Sequence, residues 1–160
     1  MALPNHPQAN REQISDADTR AHITFTMNSQ MGVILLSFLL LWVSIAHSLE
    51  DFVYGIPARF GLSVVTAALV LGAAYVVQVT GILLASKHAR SGYMITFATG
   101  AVWAIAAAAD HLKEVLTVWP YREGVLSKLL EVGIMLVGAA LAVISLVVLL
   151  SRNVDAVRGQ

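Results

Sequence analysis

Four apolar runs dominate this sequence, and each is near or above the roughly 20 residues that a helix needs to cross a hydrocarbon core. They cover residues 31–49, 60–86, 92–109 and 129–151. Lipid offers a backbone amide no outside partner, so each run must satisfy its own hydrogen bonds and becomes a spanning helix. The links between runs are short enough to make successive helices antiparallel. Of 160 residues, 58% are hydrophobic and 12% charged, whereas soluble domains average about 45–50% apolar and about 25% charged. The expectation is an all-α, polytopic membrane protein, a four-transmembrane-helix antiparallel bundle over residues 31–151. A polar N-terminal tail covers residues 1–30 and a C-terminal tail residues 152–160.

Ten basic and ten acidic residues cancel, so no field favours nucleic acid or another polyanion. Cysteine is absent, which removes disulfides, thiolate metal sites, iron–sulfur clusters and cysteine nucleophiles together. Serine-hydrolase, phosphate-loop, dinucleotide and H-E-x-x-H patterns are missing as well. In the tail, Ser15 and Asp18 resemble a capping box and predict a short helix over residues 15–20. Ser44-Ile45-Ala46 looks like a small-residue cleavage site, but the preceding tail is long and lacks the basic cluster of a signal peptide. Arg11, Arg20, Lys87, Arg90, Arg152 and Arg158 fall on one side of the membrane, and Arg59, Lys113, Arg122 and Lys128 on the other. The positive-inside rule then puts both termini in the cytoplasm, with the plasma membrane as the expected location.

Helices in lipid associate through close van der Waals approach and hydrogen bonds. Ala68 with Gly72, Gly100 with Ala104 and Ala108, and Gly138 with Ala142 offer small faces for bundle packing, or else for a homo-oligomer or partner subunit. Gln78 should face the bundle interior, with Thr96 and Thr99 as hydrogen-bond partners. Trp42, Tyr54, Tyr93, Trp103, Trp119 and Tyr121 read as interfacial aromatics, with Trp103 deeper than the rest.

One pattern occurs twice. The first and third runs both end in H-x-x-E, as His47 with Glu50 and His111 with Glu114, and a proline follows at Pro57 and Pro120. A duplicated helical hairpin would produce this, because the first and third helices then run the same way and end at one depth. Residues three apart share a helix face, so each pair would present an imidazole beside a carboxylate. Two such pairs, supplemented by Asp51, Asp110 and Glu131, give a nitrogen and oxygen donor set suited to zinc, iron or copper. Haem between the two histidines and proton handling by the same groups are further readings. The bland reading is that these are ordinary interfacial residues. On it, residues 110–128 form an amphipathic segment on the membrane surface, with Lys113 and Glu114 outward and Leu112, Val115 and Leu116 inward. Two functional classes therefore stand at this point. The first is an interaction or accessory subunit of a membrane assembly, because most of the chain is used in spanning. The second is a metal-binding membrane enzyme or transporter using His47, Glu50, Asp51, Asp110, His111, Glu114 and Glu131 at the extracytoplasmic ends of the helices.

Overall fold

The computed structural model describes the backbone of residues 7–117 and 124–158, and side chains over residues 28–152 apart from 114 and 118–123. All regular structure among these residues is helical: α1 (Pro7–Val53), α2 (Ile56–Arg59), α3 (Val64–Ser86), α4 (Arg90–Leu116) and α5 (Val125–Arg158). Four of them are long and apolar enough to cross a membrane, over Asn28–Val53, Val64–Ser86, Arg90–Lys113 and Val125–Arg152. They pack against one another as an antiparallel bundle, with the one-turn α2 capping a corner.

Helix boundaries depart from the hydropathy runs for local reasons. α1 begins at Pro7, where proline's missing N–H is no loss, so Ser15 lies inside a helix and not at its start. α3 begins four residues later than the apolar run. Gly61 turns the chain at φ 69 and Ser63 is extended, its Oγ accepting the Thr66 N–H at 3.1 Å. α4 continues through Asp110 and His111 to Leu116, so these residues belong to the third spanning helix and its extension, not to a surface segment. Leu112 and Leu116 are exposed, against the inward placement expected of them. Trp119, Pro120, Tyr121 and Arg122 lie outside the described residues.

The seam follows a three-four spacing. Buried positions on α1 are Val33, Ser37, Leu40, Ser44, His47 and Ser48; on α5 they are Ser127, Glu131, Ile134, Gly138, Leu141, Ser145 and Val148. α4 contributes Tyr93, Thr96, Gly100 and Ala107, and His111 is the next position on that stripe. Such spacing gives the shallow left-handed crossing that keeps one stripe in contact over many turns. It also aims His47, His111 and Glu131 at the bundle axis.

Small residues bring α4 and α5 to backbone contact. A Cβ on Gly100 would lie 2.7 Å from the Gly138 carbonyl oxygen, and one on Gly138 would lie 2.8 Å from that of Gly100. Thr96 and Ser145 share a hydrogen bond at 3.0 Å across the same seam. Ala68 and Gly72 behave differently: both are exposed, and nothing lies within 4 Å of a Cβ on Gly72. That face of α3 is not used in bundle packing.

Gln78 is 1% exposed, as its polarity demands, but its amide donates to the Ser37 carbonyl of α1 at 3.2 Å instead of meeting Thr96 or Thr99. Its Oε1 has no hydrogen-bond partner. A Gln78→Leu variant should change unfolding free energy by less than about 1 kcal/mol, because interhelical hydrogen bonds in bilayers average about 0.6 kcal/mol. Unfolding of detergent-solubilised protein by sodium dodecyl sulfate would measure it, and a loss well beyond that figure would show that the amide holds α1 to α3.

The opposite end from the histidines is tied by polar contacts. Gln30 donates to the carbonyls of Ala85 and Ser86, and Arg152 donates to that of His88 at 2.6 Å. The Arg152 guanidinium also lies 4.7 Å from the Tyr93 ring centre. Tyr93 is thus a buried structural residue and not a lipid-facing belt aromatic.

Candidate metal centre

The stripe geometry brings three elements to one point at the end of the bundle formed by the α1 and α4 C-termini. His47 enters from α1, His111 from α4 and Glu131 from α5. One ligand atom from each lies within 4.8 Å of the others. The two imidazole rings meet edge to face, with centroids 5.2 Å apart and planes at 81°. His111 Nδ1 is 3.1 Å from Glu131 Oε1.

Glu131 is 0% exposed and His47 is 6% exposed. A carboxylate so placed in an apolar helix is expensive unless a cation, a proton or a metal ion answers it. His111 Nδ1 lies at hydrogen-bond distance from it. Around this inner set stand further carboxylates. Asp110 Oδ2 lies 3.2 Å from His111 Nε2, while His47 Nε2 and Nδ1 lie 3.6 Å from Asp51 Oδ2 and 3.9 Å from Glu50 Oε2. The last two separations exceed hydrogen-bond length, so Asp51 and Glu50 act on His47 through charge at a short distance. Asp51 and Asp110 each flank the Nε2 of one histidine, the position from which carboxylates fix imidazole orientation and raise its basicity in metal sites. The Glu114 side chain lies outside the described residues.

Ligand atoms around a tetrahedral ion at about 2.0–2.2 Å sit roughly 3.3–3.6 Å from one another. The His111–Glu131 separation of 3.1 Å is slightly shorter than that range and the 4.8 Å spread of the trio is longer, so side-chain rotation would have to adjust both. Two imidazoles and one carboxylate leave coordination positions open, as in hydrolytic zinc sites and in the facial triad of non-haem iron(II). Haem fits less well. It would need a porphyrin between the rings, and their edge-to-face contact leaves no slot for one.

Beside the trio is a cavity of about 160 Å³, walled by Leu71, Trp103, Ala106, Ala107 and Ile134 as well as His47, Ser48, Asp51, Asp110 and His111. Trp103 stacks on Tyr75 of α3 at 5.8 Å with the planes 16° apart, and the Tyr75 hydroxyl hydrogen-bonds Ser48 Oγ at 2.8 Å. Trp103 is therefore a cavity wall. Its sequence position places it deeper than the other aromatics but gives neither its stack on Tyr75 nor the Tyr75–Ser48 pair, since neither contact follows from spacing on one helix. No protein-family model matches the chain, and no curated protein or solved structure matches it.

Proposed function

We propose that this small membrane protein binds one divalent transition-metal ion, zinc or iron(II), through His47, His111 and Glu131. The observation that supports this reading is the convergence of those three ligand groups, from three different helices, within 4.8 Å in a largely buried site. Asp110 orients the His111 imidazole, Asp51 adds negative charge beside that of His47, and the adjoining cavity gives the open coordination positions room for a further ligand. The excess of lysine and arginine on the opposite side supports a centre at the extracytoplasmic end, with both termini cytoplasmic.

Metal must displace protons from its ligands, so occupancy should fall as pH drops. Protein purified without chelator at pH 7.5 and analysed by plasma mass spectrometry should carry about one zinc or iron ion per chain. Equilibration at pH 5 should release it. A chain that stays metal-free after dialysis against either ion at neutral pH would overturn the reading.

A second reading, an interaction or accessory subunit of a membrane assembly, is supported by the exposed Ala68 and Gly72 face of α3. It concerns a different surface and does not compete for the histidines. A fixed partner captured by crosslinking from a cysteine introduced at Ala68 is its expected signature.

A further inference from the structure

The cavity beside the trio has a neighbour on the α3–α4 face. Two of its lining residues, Trp103 and Ala106, also line a second depression of about 330 Å³, whose other walls are Ala74 and Val77 of α3 and Ala98, Thr99 and Val102 of α4. Val77 is 52% exposed and Val102 65% exposed, so this groove lies open on the lipid-facing side of the α3–α4 pair. Thr99 is the single hydroxyl in an otherwise apolar lining. From Ala98 to Ala106 the helix rises about 12 Å, and from Ala98 to His111 about 20 Å. The groove thus runs along the spanning helices and adjoins the imidazole and carboxylate cavity at Trp103 and Ala106, which wall both. At the junction Trp103 is held flat by its stack on Tyr75.

We propose that the groove takes a linear aliphatic chain bearing a neutral oxygen head, such as a long-chain alcohol, aldehyde or ester. The chain enters sideways from the bilayer and presents its oxygen to the metal. This rests on the metal reading above. A hydrocarbon tail fits because the groove is lined almost wholly by apolar side chains and opens on the face that lipid chains solvate. The head is assigned as neutral from charge: Glu50, Asp51 and Asp110 stand within 4 Å of the two histidines. Together these carboxylates outweigh the single positive charge that a divalent ion and Glu131 leave between them, so a fatty-acid carboxylate or a phosphate monoester is repelled. A free alcohol or carbonyl oxygen carries no such penalty and can take an open coordination position.

Cobalt(II) substituted for the native ion reports its own coordination through visible absorption, which makes head binding observable without knowing any reaction. In phosphatidylcholine nanodiscs, dodecan-1-ol should shift the cobalt bands of the full-length protein, while ethanol and dodecanoate at equal concentration should not. Val102→Trp on α4 and Val77→Trp on α3 each fill the groove from an exposed position. Both should keep cobalt at the parent stoichiometry, and both should raise the half-saturating dodecanol concentration by at least about tenfold, as expected for displacing a few methylenes. A protein that holds cobalt but ignores dodecanol, or responds equally to ethanol, overturns the chain-binding inference alone, as do groove variants that respond like the parent. A response to dodecanoate matching that to dodecanol overturns the charge assignment. Failure to bind cobalt at all overturns the metal reading on which the inference stands.

Discussion

A Glu131→Gln variant is expected to lose at least about 100-fold in metal affinity, more than the 10–100-fold typical of removing an outer-shell partner, while folding almost as well as the parent. The two halves of this result have separate causes. The substitution removes the only carboxylate among the three converging groups and replaces it with an amide, a weak neutral donor of nearly the same shape. It also leaves His111 beside a group that can still hydrogen-bond its Nδ1. The buried pair therefore keeps a polar partner on each side. Unfolding free energy measured without metal should therefore move by about 1 kcal/mol or less, the scale of one hydrogen bond.

Chelator competition would give the affinity, and sodium dodecyl sulfate unfolding the stability. Glu50→Gln is the matched control: Glu50 Oε2 lies 3.9 Å from His47 Nδ1 and stands outside the converging trio, so its loss should weaken metal by much less. Equal losses from the two variants would mean that the acidic neighbourhood as a whole attracts the ion, and that Glu131 has no special place. Unaltered affinity in Glu131→Gln would remove the carboxylate ligand from the proposal.

The spans were legible because hydropathy is written contiguously along the chain and lipid leaves the backbone no alternative to a helix. The ends were not. Charged residues at an interface do not break a helix, so α4 carries on through Asp110, His111 and Lys113 where the apolar run stops. At the other extreme, Gly61 and Ser63 end and restart the chain inside what reads as one apolar run.

For the site, the repeated H-x-x-E spacing drew attention to His47 and His111, which do meet across the bundle. It also drew attention to Glu50, which is only the helical neighbour of its own histidine. Spacing within one helix reports which residues share a face; which faces meet depends on the rotation of each helix. That information was present as the three-four recurrence of small and polar residues, Ser37, Ser44 and His47 on α1 with Ser127, Glu131 and Ser145 on α5. Polar positions recurring at that spacing in an apolar helix mark the buried stripe, since lipid-facing positions would be apolar. Read this way, Glu131 is the third inward group and not an auxiliary one.

The packing itself can be tested at Gly92, where Gly92→Ala is expected to cost about 3 kcal/mol or more, the upper end of overpacking penalties. A Cβ at Gly92 would sit 2.1 Å from the Ala85 nitrogen, 2.5 Å from the Leu84 carbonyl carbon and 2.7 Å from the Ala85 Cα. All three are backbone atoms, so no rotamer change relieves the clash, and α3 and α4 must part at their shared end. They are poorly able to do so. Only three residues separate Ser86 from Arg90, and the Ala85 carbonyl already accepts the His88 N–H at 3.0 Å and the Gln30 amide at 3.0 Å. Gly72→Ala is the contrasting change on α3: its Cβ would meet nothing within 4 Å, and alanine's better helix propensity should hold stability level or raise it by up to about 1 kcal/mol. Gly92 lies about 28 Å along α4 from His111, so whatever fraction of Gly92→Ala remains folded should bind metal with the parent's affinity. A neutral Gly92→Ala would mean that the helices do not approach as closely as described. A Gly72→Ala as damaging as Gly92→Ala would mean that the open face of α3 is covered by another chain in the membrane.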